Sequence, residues 1–220
     1  TLREKIMRYL LVTLSGLALA IGSPCEAADE KGVGTLVADV IAQAGGEAKL
    51  LKNFRLRERV LIQETPAPPP RETDTNRTST IEVGGRWWIG TQKRDKDKVR
   101  ILCYAWSLRI LLDPSAKIAA LGEAKVAEKS ALGLRVTNVA KDPVDLWFDK
   151  ASLRLLAIDY ADTRHVFSDW AATSEGHHYP KHVTGYRFVD VNAKTVRDKQ
   201  WYQTDLIEVT PLKDLPAELK

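Results

Sequence analysis

From Lys117 onward the chain is almost unbroken strand signal, and that run decides what the whole can fold into. Leu132, Leu134 and Val136 recur at every second position, as do Val144, Leu146 and Phe148. Asp149 to Ser152 reads as a turn into Leu153 to Tyr160, which is apolar on both faces and so belongs at the centre of a sheet. Ala161-Asp162-Thr163 turns into Arg164 to Ala172, and Glu175-Gly176 turns again. Pro180 to Val191 and Lys199 to Val209 complete the series, which Pro211 and Pro216 end. Short strands at even spacing, joined by polar turns, predict a meandering antiparallel sheet. A sheet of that size must curl, or pack on something, to hide its apolar face.

The segment before Lys117 supplies the cover. Leu36, Val37, Val40, Ile41 and Ala44 form one apolar stripe on a short helix that Gly45-Gly46 ends. The period then switches to two: Phe54, Leu56, Val60 and Ile62 share one strand face, with Glu58 as its one polar member. Arg55, Arg57 and Arg59 point to the other, solvated side. Thr65 to Arg77 holds Pro66, Pro68, Pro69 and Pro70, which predicts a long extended loop, either a lid or a surface excursion. Ile81 to Thr91 reads as a hairpin about Gly84-Gly85, and Arg94 to Lys98 as a charged connection. Val99 to Leu112 fits a second helix, with Asp95 and Asp97 at its start and Asp113-Pro114 at its stop. The expected class is α+β: a strongly curved antiparallel sheet with about two helices packed on its concave face and an apolar cavity between the layers.

The N-terminus gives an address. Arg3, Lys5 and Arg8 precede an apolar run from Tyr9 to Ile21, and Gly22 to Ala28 supplies small residues. That is the layout of a secretory signal peptide. The run is shorter than the roughly 20 residues a membrane-spanning helix needs. Cleavage is expected between Ala27 and Ala28, with Met7 as the start and residues 1–6 as an upstream extension. The alternative, a lipoprotein signal with Cys25 lipidated, fits Gly22-Ser23-Pro24-Cys25 poorly. Residues 28–220 then form one periplasmic or secreted domain without a transmembrane helix. It retains only Cys103, so no internal disulfide is available. The formal charge of +4 is spread along the chain and accompanies no recognition motif, which argues against a nucleic-acid partner.

Several landmarks follow one another in order along the chain. They are the Gly45-Gly46-Glu47-Ala48-Lys49-Leu50 helix end, the Gly85-Arg86-Trp87-Trp88 hairpin, and Leu121-Gly122-Glu123-Ala124-Lys125-Val126 with Ala131 to Val136 after it. Asp145 to Lys150, the hairpin from Phe167 through Glu175-Gly176 to Pro180, and the Leu212 to Leu219 tail complete them. In this order they resemble the LolA/LolB-like group of periplasmic lipoprotein-carrier folds. The resemblance covers most of the chain and implies a strongly curved sheet forming an incomplete β-barrel closed by helices, with a hydrophobic cavity able to hold acyl chains.

Catalytic and metal chemistry find little support in the residues. His178 and His182 would lie about 13 Å apart along a strand, too far to share one zinc ion. His177 points opposite to His178 unless the turn folds the two together, and an acidic partner would have to be Glu175. There is no Gly-x-Ser-x-Gly elbow around Ser174 or any other serine. Cys103 sits in an apolar run, and Asp95/Asp97 and Asp159/Asp162 read as a helix start and a turn. No cofactor or metal is expected. The candidate cavity residues are Trp87, Trp88, Leu102, Trp106, Leu146, Phe148, Tyr186 and Phe188, with the large rings either packing the core or lining a mouth. The expected function is a non-enzymatic, exported protein that carries or senses a lipid or acylated protein. The alternatives are an envelope protein-interaction or sensor domain without ligand, and an exported hydrolase.

Overall fold

The computed structural model describes residues 30–191 and 194–220, so the leader-like segment lies outside the described residues. Helix α1 (Glu30–Gln43) is followed by strands β1 (Asn53–Leu61), β2 (Arg77–Glu82), β3 (Trp87–Ile89) and β4 (Gln92–Arg94). Helix α2 (Asp97–Trp106) leads to β5 (Lys117–Val126), β6 (Lys129–Thr137), β7 (Val144–Asp149) and β8 (Leu155–Tyr160). The chain ends with β9 (Thr163–Ala172), β10 (His178–Val191) and β11 (Lys194–Leu212).

Among the described residues 11 strands form one antiparallel sheet in the order β4-β3-β2-β1-β11-β10-β9-β8-β7-β6-β5. Two meanders are therefore joined where the first and last strands meet, with Phe54 opposite Pro211 and Leu61 opposite Gln203. The sheet's two edges, β4 and β5, are consecutive in sequence, and α2 is the segment that connects them. This is the α+β incomplete barrel, an open curved sheet with two helices on it.

Burial follows the sequence pattern closely. Val40 of α1 is buried, Leu36, Val37 and Ile41 pack partly against the same core, and the main core runs on through Leu134, Leu146, Phe148 and Ile158. At the end of α1, Gly45 N–H donates to Ala42 O and Gly46 N–H to Ile41 O, both at 2.9 Å. Gly45 and Gly46 adopt φ of +95° and +85°, which a residue with a Cβ would resist.

Helix α2 stops at Trp106, earlier than the expected Leu112. Leu108 takes a left-handed conformation (φ 61°), and the remaining Arg109–Leu112 forms a 3₁₀ turn that buries Ile110 and Leu111. The charged connection after the hairpin is also shorter than expected, because Gln92–Arg94 adds β4 as an edge strand on β3.

Two expectations about β1 and its loop need correction. Arg57 and Arg59 are not simply solvated: each lies opposite a β11 carboxylate, Glu208 and Asp205 respectively. The Arg59 side chain is only 11% exposed and bonds Asp205 through Nε and Nη2 at 2.9 and 2.8 Å. It is covered by the proline-rich loop, which is neither lid nor free excursion. Ala67 N–H donates to Gln203 Oε1 at 3.0 Å, Arg59 Nη2 donates to Pro68 O at 2.7 Å, and Gln200 Nε2 donates to Thr65 O at 3.1 Å. Proline residues leave the loop few donors of its own, so side chains from the sheet tie down its carbonyls. The loop is a strap across the sheet face that carries Gln203 and Asp205.

Candidate functional site

The opposite face carries a cavity of about 350 Å³ between α2 and the sheet. Strand β1 sends Leu56, Glu58 and Val60 into it, because alternate residues of a strand share a face. Val99, Leu102, Cys103 and Trp106 close it from α2, and Phe167, Val183 and Leu206 line it from β9, β10 and β11. Ile62, just beyond β1, borders the cavity and is 73% exposed, while exposed Lys96 borders it before α2. The cavity is apolar within, and its border has a bare isoleucine and a cation.

Polar groups interrupt the apolar wall, and two of them are tied internally. Glu58 is 4% exposed and accepts from Arg77 Nε at 2.8 Å and Ser79 Oγ at 2.6 Å, both from β2. A buried carboxylate needs such partners, so the single polar residue on the apolar face of β1 is an internal tie. The second is His165 on β9, which meets the Tyr202 hydroxyl of β11 through Nδ1. The contact spans an intervening strand. Gly185 of β10 pairs with His165 on one side and Tyr202 on the other. A Cβ on Gly185 would lie 1.7 Å from the Tyr202 ring, so the missing side chain is the slot through which the ring crosses. Gly185→Ala is therefore expected to cost about 1–3 kcal/mol in urea denaturation through overpacking. Unchanged stability would mean that the ring can leave the slot freely.

Burial governs the titration of these groups. It depresses His165 to about 3, aided by the Lys98 charge and opposed by Asp162, so the ring is neutral near neutral pH. It pushes the Cys103 thiol up to about 12, with Glu58 adding to the effect. Tyr202 moves up for the same first reason. A thiol held protonated and an imidazole held neutral on the same cavity are the reverse of an activated thiolate–imidazolium pair.

The candidate residues from the sequence divide. Trp87, Leu102 and Trp106 border the cavity. Leu146 and Phe148 are fully buried in the main core, away from it. Trp88 packs with Leu215 and Leu219 in a separate cluster, with Arg86 over its ring at 5.1 Å. Tyr186 and Phe188 do not border the cavity, and Arg164 stacks on Phe188 at 5.4 Å. The histidines separate as well. His177 Nδ1 bonds Lys49 O at 2.7 Å and His182 Nδ1 bonds Asp205 at 2.6 Å. Among the described residues no three His, Cys, Asp or Glu side chains are grouped to hold a metal ion. No helix among them is long and apolar enough to cross a membrane.

Sequence reasoning missed Glu58's tie, the His165–Tyr202 pair and the walls from β9 to β11. The alternation in β1 could have supplied Leu56 and Val60. His165 and Tyr202 carry no sequence signal that pairs them, because their contact depends on a glycine in a third strand.

No family model matches the sequence, and no curated protein matches it. Solved structures do match in fold. A domain from Vibrio parahaemolyticus assigned to outer membrane lipoprotein sorting aligns with a TM-score of 0.50 at 9% identity, covering 86% of this chain and 96% of that one. A DUF1329 family protein from Desulfovibrio piger aligns at 0.51 and 10% identity, covering 86% and 97%. A LolA superfamily protein from Nitrosomonas europaea aligns at 0.45 and 10% identity, covering 82% and 95%. The first two alignments run over nearly whole domains, so the chain shares its fold with the V. parahaemolyticus and D. piger structures.

Proposed function

We propose that this LolA-like chain is an exported, non-enzymatic binding protein that carries or senses a lipid or a lipidated protein. The acyl chain would lie in the cavity between α2 and the concave face. The observation that carries this reading is the cavity itself. Its volume of about 350 Å³ falls in the roughly 300–1,000 Å³ range of ligand sites, and it is walled mainly by aliphatic and aromatic side chains. Burying a hydrocarbon chain there gains about 0.8 kcal/mol per methylene. Ile62 and Lys96 at the border suit the start of the chain and an anionic head group left in water. The leader-like Arg3 to Ala28 supports export to the periplasm or beyond, with release after Ala27. Lipoprotein sorting, the role assigned to the V. parahaemolyticus domain, is the kind of task that this cavity would serve.

Native mass spectrometry of gently extracted protein should reveal a bound lipid, and a fluorescent fatty acid should bind the delipidated chain. Leu102→Trp, which fills the cavity from α2, should weaken that binding about tenfold, the equivalent of roughly two methylenes of burial. A probe that does not bind the delipidated wild type would overturn the reading. Recovery of an envelope protein in its place would favour a sensor without ligand.

A further inference from the structure

Three residues that border the cavity carry a buried side-chain nitrogen with no hydrogen-bond partner among the described residues: Trp87 Nε1, His165 Nε2 and Trp201 Nε1. Buried donors in folded proteins are nearly always satisfied, and three on one cavity need a reason. His165 is 1% exposed and Trp87 3%, so bulk water does not reach them freely. They stand on strands β9 and β3, five places apart in the sheet.

All three are donors. An indole nitrogen can only donate. The Tyr202 hydroxyl has His165 Nδ1 as its hydrogen-bond partner, and donating to it satisfies the phenolic hydrogen. The neutral imidazole then carries its one proton on Nε2, the buried nitrogen left without a partner. The groups that could neutralise an anion inside are engaged elsewhere. Arg77 is held by Glu58, and Lys98 by Asp162 and Thr163 Oγ1. An ionised group would therefore be buried without a counter-charge, which is strongly unfavourable. A neutral oxygen, which only accepts here, fits.

We infer that the cavity selects acyl chains whose buried portion bears a neutral oxygen, a hydroxyl or an ester carbonyl, received by His165 Nε2–H or Trp87 Nε1–H according to where the oxygen sits along the chain. The inference rests on the acyl-chain reading of the same cavity and narrows its ligand class. Its sign is informative: in a purely hydrocarbon cavity an added hydroxyl weakens binding, because its desolvation goes uncompensated.

The test is displacement of a fluorescent fatty acid from the delipidated full chain. The competitors are stearic acid and monohydroxystearic acids with the hydroxyl near the carboxyl, at mid-chain and near the tail. At least one hydroxylated isomer should compete about three- to tenfold better than stearic acid, the range one net hydrogen bond supplies. At least one of Trp87→Phe and His165→Phe should shrink the hydroxylated isomer's advantage over stearic acid, read as the ratio of the two competitors within each variant. Trp87→Phe keeps an aromatic ring in place and serves alone if His165→Phe does not fold. If every isomer competes no better than stearic acid, the inference fails and acyl-chain binding stands. A preference that survives both substitutions would overturn the assignment of the two donors. If the probe itself does not bind, both readings fall.

Discussion

Asp205→Ala should lower folding stability by about 3–5 kcal/mol, the range for removing one member of a buried ion pair. Asp205 is 1% exposed and accepts from four directions. Arg59 Nε and Nη2 reach it at 2.9 and 2.8 Å, His182 Nδ1 at 2.6 Å, and Gln203 Nε2 at 3.0 and 3.1 Å. Burial alone would raise its pKa, but the bonds from His182, Arg59 and Gln203 outweigh burial and hold it below the usual carboxylate range. Alanine would leave a largely buried guanidinium with only Asp74 at 3.4 Å and the Pro68 carbonyl. The same loss loosens Gln203, whose Oε1 holds Ala67 of the strap. Cleavage within residues 65–77 should therefore become fast in limited proteolysis, together with the shift in urea midpoint. Asp205→Asn keeps an acceptor and should lose less. A loss under about 1 kcal/mol for the alanine variant would place this network among surface pairs that contribute little.

The strap also marks where local sequence signals stop. The meander, both helices and the inward face of β1 were legible because strand and helix periods report directly on which residues are covered. Arg57 and Arg59 look like any solvated strand face. Their burial depends on Glu208 and Asp205, about 150 residues later, and on prolines folding back over them. Trp87 and Trp88 could be separated by alternation into opposite faces, but not assigned to the cavity and to the Leu215–Leu219 cluster. Leu146 and Phe148 carry the strongest alternation in the chain and lie in solid core, since periodicity reports burial and not the presence of a void. The family-like landmarks gave the fold for a related reason. They are turns and helix ends, which set topology, whereas cavity walls are set by side chains that meet from strands far apart in sequence.

Between pH about 7 and about 5 the folded chain should lose about 2 kcal/mol of stability through His165 alone. In the unfolded chain this imidazole titrates near its ordinary value of 6.5, and in the fold burial depresses it to about 3. A base with a depressed folded-state pKa binds more protons unfolded than folded across that interval. Its contribution is complete above about 6.5 and is lost as pH falls towards about 3. The charges around the ring adjust the effect without reversing it: Lys98 reinforces the depression, Asp162 opposes it, and the desolvated walls dominate both. The carboxylates held low by their partners act in a separate window. Asp162, bonded by Lys98 and Thr163 and depressed to about 2, withdraws its support only below the ordinary range of an aspartate. Urea denaturation of wild type and His165→Phe at matched pH values separates the two, because the difference in slope isolates one residue from everything else that titrates. The variant should show a clearly flatter dependence between pH about 7 and about 5, whatever its absolute stability. Parallel dependences would mean that the imidazole titrates in the fold as it does in the unfolded chain, so that burial does not hold it neutral as pH falls.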